Sequence, residues 1–276
     1  MNFIKLFDDV NKDGIELVGG KALSLIRLIQ ASLPVPQGFV ITTEAYRNLK
    51  NVGVSSELKD AILDAFDVLG AEVVAVRSSA IAEDSSDASW AGQFESYLNV
   101  NREQLIDSVE KCWASASSDT VKAYAEGKST DKDQLAIAVV VQKMVNSEVS
   151  GVAFSVNPVT KDTDEIMIEA IYGLGELLVQ GMITPDNYIV DKLSLEVKEN
   201  VTKIKSTMQV YKNGENIEQP VPDNMRGKSC LIDGQIVELS KLINKVEQYY
   251  GTAQDIEWAL EDSKFYIVQS RPITTL

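Results

Sequence analysis

The chain has 276 residues, 45% of them apolar and 24% charged, enough for one large or two modest domains with cores of their own and ordinary for a soluble globular protein. Its net charge of −15 argues against nucleic acid as the main partner, since a phosphate backbone calls for clustered Lys and Arg; a nucleotide site needs only a few local cations and stays open. Histidine is absent, and the two cysteines, Cys112 and Cys230, are far apart with no metal spacing. That removes imidazole acid–base chemistry, His metal ligands and a phosphohistidine within this chain, and argues against zinc; any chemistry falls to carboxylates, Lys, Arg and a hard metal.

The first residues lack the basic start and long apolar run of a signal peptide. A loop and then an amphipathic helix are expected over 15–31, opened by Gly19-Gly20-Lys21 with Leu23, Leu25, Ile26, Leu28 and Ile29 on one face. The segment 33–38 is a breaker, 39–41 a short strand, and Thr42 or Thr43 caps the next helix. A second amphipathic helix spans 57–69. A β-rich run, 73–77, ends in the polar Ser78-Ser79, and 80–92, rich in Ser, Ala and Asp, reads as a mobile loop. A helix over 102–126 precedes a buried strand at 135–141, the longest strongly apolar stretch and far too short to span a bilayer. Strands follow at 152–156, 165–170 and 188–190, separated by the Gly-punctuated 173–181; 194–229 is polar, with a hairpin and a loop. A helix over 239–250 leads into a closing hairpin. Strands and helices without strict alternation give an α+β class. There is no internal repeat, and a reducing, cytoplasmic setting is expected, with no membrane partner.

The closing hairpin is the most informative segment. Residues two apart on a strand share a face, so Gln269 and Arg271 point together, and Glu257 sits opposite them if the hairpin pairs in register across the turn Glu261-Asp262-Ser263. A carboxylate, an amide oxygen and a guanidinium suit a metal-bound polyphosphate; a surface hairpin with ordinary charges is the other reading. Lys21 follows two glycines whose missing Cβ lets backbone approach phosphate, or is an exposed helix-start lysine. Arg77 ends an apolar strand, where a charge needs an anion: a phosphate, or Glu83 or Asp84 as a structural pair. Gly173, Gly175 and Gly181 either admit phosphate or serve turns.

Taken in order, Val18-Gly-Gly-Lys-Ala-Leu-Ser-Leu25, Val76-Arg-Ser-Ser-Ala-Ile-Ala-Glu-Asp84, Ser89-Trp-Ala-Gly-Gln-Phe-Glu-Ser-Tyr-Leu-Asn-Val100, Val141-Gln-Lys-Met-Val145 and Asp255-Ile-Glu-Trp258 with Gln269-Ser-Arg-Pro-Ile273 resemble the ATP-grasp nucleotide-binding domain of phosphoenolpyruvate synthase, pyruvate phosphate dikinase and rifampin phosphotransferase. Glu169-Ala-Ile-Tyr-Gly-Leu-Gly-Glu176 and Thr184-Pro-Asp-Asn-Tyr188 fit the same resemblance, which runs from residue 15 to the end. It implies two lobes clasping ATP, 1–145 with the phosphate lid, Lys21 and Arg77, and 146–276 with the metal and phosphate site. It implies phosphate contacts for Lys21, Arg77 and Arg271, a lid containing Gly92 and Ser96, and an adenine hinge at Gln142, Met144 and Val145. Glu257 and Gln269 are the implied Mg²⁺ ligands. Ser96 stands where the family often has Thr and keeps the hydroxyl; Trp90 stands where Phe is usual and reads as packing.

In the resembled enzymes a swivelling domain carries a histidine that takes phosphate from ATP and delivers it to a small-molecule acceptor. With no histidine this chain cannot complete that cycle alone, so an excised domain, a subunit served by a separate His-bearing protein, or a direct kinase is expected, the sequence ending at the domain boundary favouring the first two. The leading expectation is the ATP-binding, phosphoryl-donating part of a dikinase-type phosphotransferase. The alternatives are a non-catalytic ATP-sensing module and a different ATP-grasp kinase or ligase.

Overall fold

The uninterrupted apolar run 136–141 is explained by what surrounds it: Ile137–Lys143 is the middle strand of a five-stranded sheet and is covered on both faces. The computed structural model describes residues 3–11, 14–81, 95–116 and 136–274. The expected lid residue Gly92, together with Glu83, Asp84, Trp90, Leu135 and the helix expected over 117–126, lies outside the described residues. The chain divides into two compact units, Met1–Gln30 with Pro36–Met144, and Ala31–Val35 with Val145–Leu276.

In the first unit the strands are β1 (Ile4–Leu6), β2 (Gly38–Ile41), β3 (Val74–Ala80), β4 (Ser96–Val100) and β5 (Ile137–Lys143), in the order β1-β2-β5-β3-β4. All neighbours are antiparallel. Helix α1 (Ile15–Gln30) packs against β3 and β5. After α2 (Thr43–Leu49) come α3 (Ser56–Leu69) and α4 (Leu105–Ser115); these set Ile62, Phe66, Leu105 and Val109 into one core with Val76, Val139 and Val141. Helix α3 carries its own punctuation: Ser55 accepts from the Leu58 N–H at 3.3 Å, and Gly70 closes it with φ +61°.

The second unit is a six-stranded antiparallel sheet in the order β13-β12-β6-β7-β8-β9. Its strands are β6 (Val149–Phe154), β7 (Glu165–Tyr172), β8 (Asp186–Asp191), β9 (Val197–Val201), β12 (Gln254–Glu261) and β13 (Lys264–Pro272). A one-turn helix α5 (Glu176–Val179) follows β7, and a separate hairpin, β10 (Thr207–Lys212) with β11 (Glu215–Pro220), turns at Asn213-Gly214, both at positive φ. Helix α6 (Asp233–Tyr250) buries Ile236, Leu239, Ile243 and Val246 and packs on β12 and β9. Trp258 is fully buried beside Gly151, where a Cβ would approach the indole to 2.8 Å.

The α+β class is observed, and the structure revises several local expectations. Helix α1 is helical from Ile15, before the glycines; β3 runs on through Ser78 and Ser79, both buried, so Arg77 stands in mid-strand; and α6 begins at Asp233. Thr42 takes the N-cap position of α2 but its hydroxyl caps nothing, while Thr43 Oγ1 donates to the Glu16 carbonyl at 2.6 Å. The edge strands β1, β4 and β9 are short and partly exposed, which hid them from periodicity. Both cysteines are buried and unpaired; burial pushes the Cys112 thiol up to about 11, and the Cys230 thiol and the Tyr188 phenol well above their usual ranges.

One buried ion pair organises the irregular part of the second unit. Asp186 and Lys205 have almost no exposed surface and are bonded to each other. Asp186 also accepts from the backbone N–H groups of Lys203 at 2.7 Å and Cys230 at 2.8 Å, and Lys205 Nζ donates to the Lys203 carbonyl at 2.8 Å. A single carboxylate thus ties the segments around 203 and 230 to β8. Breaking such a pair from one side strands the remaining charge. Lys205→Met is expected to lower unfolding stability by about 3–5 kcal/mol, measured in urea by circular dichroism, and the double variant with Asp186→Asn to lose less than the single one.

Candidate functional site

In the first unit the expected residues gather on the α1 face of the sheet. Helix α1 is kinked at Gly19, which takes φ +74° and ψ 174°. A Cβ there would collide with the Ser79 carbonyl, so only glycine allows the helix start to sit on β3. Ser79 then fastens it: its hydroxyl donates to the Val18 carbonyl at 2.8 Å and accepts from the Ala22 N–H at 3.1 Å. The docked turn carries Lys21, whose ammonium donates to the Ser78 carbonyl at 3.3 Å, one residue from Arg77. Arg77 is flanked in register by Val140 on β5 and Ser96 on β4, so Arg77 and Ser96 share a face. Lys21, Arg77 and Ser96 are therefore brought to one stretch of β3 and its edge.

The segment from Gln142 to Val145 is more committed to the fold than its sequence suggests. Gln142 is buried and its amide donates to the Pro36 carbonyl at 3.3 Å; the N–H groups of Lys143 and Met144 donate to the carbonyls of Gln37 at 2.8 Å and Val73 at 3.2 Å. Met144 is half-buried and Val145 buried in the second unit. These N–H groups are thus engaged inside the protein.

In the second unit the closing hairpin pairs in the register that places its polar residues together. Asp262-Ser263 is a two-residue turn with both φ positive, and it sets Glu257 opposite Gln269 and Asp255 opposite Arg271. The four side chains share one face; Ile256 and Trp258 point to the other and are buried. Arg271 Nε and Nη2 both reach Asp255 Oδ2, at 2.8 and 2.7 Å, which fixes the plane of the guanidinium fork. A register shift between Glu257 and Trp258 marks a bulge immediately beyond these pairs. Asp255 was missed by the sequence reading, although its two-residue spacing from Glu257 is the same signal that united Gln269 and Arg271.

The row continues across the sheet. Glu257 faces Val152 on β6, and Val152 faces Glu169 on β7. Burial, and then the negative charge of Asp255, push the Glu169 carboxyl above its ordinary value of 4.5. Asp255 is also raised: burial and Glu257 outweigh Arg271, which pulls the other way. Among the described residues no three Asp, Glu or Cys side chains form a metal cage. Glu257 and Gln269 do fit a hard cation, as a carboxylate and an amide oxygen side by side whose remaining ligands come from water or nucleotide. Gly173 serves the fold: at φ +78° it leaves room for the Gln209 carbonyl, which accepts from the Leu174 N–H at 2.9 Å. Gly181, at φ +69°, faces open space in a turn.

A family model described as the pyruvate phosphate dikinase AMP/ATP-binding domain matches residues 15–53 and 47–276. Over 320 residues the chain is 38% identical to a probable phosphoenolpyruvate synthase of Methanocaldococcus jannaschii, covering 100% of this chain and 27% of that protein. A probable phosphoenolpyruvate synthase of Archaeoglobus fulgidus is 39% identical, with 97% and 41% covered. The uncharacterized phosphotransferase YvkC of Bacillus subtilis is 39% identical, with 96% and 34% covered. The chain thus spans less than half the length of these relatives. Among solved structures, D-alanine–D-alanine ligase from Bacillus anthracis is similar at 10% identity and a TM-score of 0.41, over 95% of this chain and 58% of that one; a likeness at that level carries no argument.

The raised Glu169 gives a signed expectation. Its unfolded form deprotonates first as pH rises through 4.5, so in the absence of cation and nucleotide the folded state loses stability from there up to the folded pKa and then levels off. Glu169→Gln removes this loss. Unfolding midpoints measured from acid to neutral pH should diverge in favour of the variant as pH rises above 4.5, and coincide below it.

Proposed function

Because this chain belongs to the pyruvate phosphate dikinase AMP/ATP-binding domain family, we propose that it binds Mg-ATP within an ATP-grasp architecture and donates a phosphoryl group to a histidine on a swivelling domain. That domain passes the group to a small-molecule acceptor, as in a phosphoenolpyruvate synthase or a rifampin phosphotransferase. The observation that carries the reading is the register of the closing hairpin, which sets Glu257 beside Gln269 and Asp255 beside Arg271 on one sheet face. The acceptor histidine lies outside these 276 residues, which contain none. Among the described residues no helix is long and apolar enough to cross a membrane; the cytoplasmic setting is part of the proposal.

Lys21 and Arg77 offset phosphate charge, and Ser96, the first residue of β4 and the register partner of Arg77, offers its hydroxyl to the phosphates; Gly92, proposed for the phosphate lid, lies outside the described residues; Met144 and Val145 wall the adenine. Gln142 supports that segment through Pro36 rather than by meeting the purine with its own amide. Glu257 and Gln269 hold Mg²⁺ through oxygen, and Arg271, steadied by Asp255, faces the terminal phosphate. A bound ion would offset phosphate charge; in this class of transfer the protein's own work is positioning and charge compensation, so no side-chain base is needed.

Calorimetry of ATP with and without Mg²⁺, on wild type and on Glu257→Ala combined with Arg271→Ala, tests the site. Magnesium-dependent binding that weakens by about 100-fold or more in the double variant is expected, since each charge-assisted contact is worth about 1.5–3 kcal/mol. A folded wild type that binds no ATP would sink the reading. Label from ATP that never reaches a separately supplied His-bearing domain, despite tight binding, would leave an ATP-sensing module instead.

A further inference from the structure

Glu169 is absorbed by neither the core nor the set of residues assigned above. Its register neighbour toward the hairpin is Val152, and beyond that stands Glu257, so Glu169 and Glu257 project from the same face two strands apart, about 10 Å between backbones. A glutamate side chain reaches roughly half that span, and the intervening Val152 is short and half-buried. Two carboxylates can thus converge above Val152 with room for a small hydrated cation between them. Among the described residues Glu169 has no cationic partner, whereas Asp255, another half-buried carboxylate of this face, has Arg271. Burial, and then the charge of Asp255, disfavour the ionised form of Glu169, which is why its proton is retained more tightly than usual.

An acceptor-only group cannot help bind phosphate oxygens directly; it can accept only from donors. Mg²⁺ dehydrates reluctantly and keeps several waters, each of them a strong donor while on the metal. Resting on the reading that Glu257 and Gln269 hold the ion, we propose that Glu169 is a positioning residue of that centre, accepting a hydrogen bond from a metal-bound water and orienting the hydrated ion across Val152. Outer partners of this kind typically change metal affinity by about 10–100-fold.

The test is calorimetric ATP binding to the full chain over a series of free Mg²⁺ concentrations, with wild type, Glu169→Gln and Glu169→Asp. Glutamine keeps the shape and removes the charge, so a folded variant is expected, and its unfolding midpoint without cation at neutral pH should not fall below that of wild type. The expected result is a requirement for about tenfold more free Mg²⁺ in Glu169→Gln, partial recovery in Glu169→Asp, and unchanged ATP affinity once Mg²⁺ is saturating. An unshifted Mg²⁺ requirement overturns the proposal. Loss of ATP affinity by one factor at every Mg²⁺ concentration also overturns it, because Glu169 would then touch the nucleotide itself. Wild type that binds no ATP at any Mg²⁺ concentration overturns the reading of the whole site, and this inference with it.

Discussion

The pairing register of β12 with β13 is the constraint on which the second unit's chemistry depends. Alternation along a strand has a period of two, so a slip of one residue in β13 would turn Gln269 and Arg271 to the opposite face, away from Glu257 and Asp255. Two devices hold the register. The two-residue turn at Asp262-Ser263 fixes how the strands leave the bend, and Trp258, fully buried next to Gly151, can occupy only one face. Burial of an indole on one side of the sheet therefore specifies where an arginine and two carboxylates stand on the other. The Arg271–Asp255 bonds refine this placement rather than create it, since both are carried into contact by the strands.

The first unit meets the same need differently. Lys21 is on a helix and Arg77 on a strand, far apart in sequence, and no pairing rule links them. The link is a side chain: Ser79 grips the carbonyl of Val18 and the amide of Ala22, and Gly19 removes the Cβ that would keep them apart. Helix start and strand behave as one piece, so the ammonium and the guanidinium inherit a common frame.

What the sequence disclosed follows from these physical differences. Long periodic stretches such as α3 and the apolar run of β5 were legible because burial imposes period and length. The shared face of Gln269 and Arg271 was legible because it is local. The extension of β3 through Ser78 and Ser79 was not: a buried Ser79 looks like a loop residue until the backbone carbonyl and amide that satisfy its hydroxyl are known. The Asp186–Lys205 pair was hidden for the same reason, since a lysine in a polar segment reads as solvated unless its distant partner is in view. Gln142 shows the converse. Its family resemblance drew attention to a ligand, while its amide is engaged by Pro36, more than a hundred residues earlier in the chain. Asp255 was the one omission that spacing alone could have repaired.

The burial of the thiols and phenols reaches beyond packing. Cys112 is pushed up to about 11, Tyr97 and Tyr172 to about 12, and Cys230 and Tyr188 are raised as well, each chiefly by burial. The sequence has no imidazole. These groups therefore stay protonated throughout the physiological range and buffer nothing there. Proton uptake or release measured near neutrality when a ligand binds would report on other groups, against a background in which these thiols and phenols are silent.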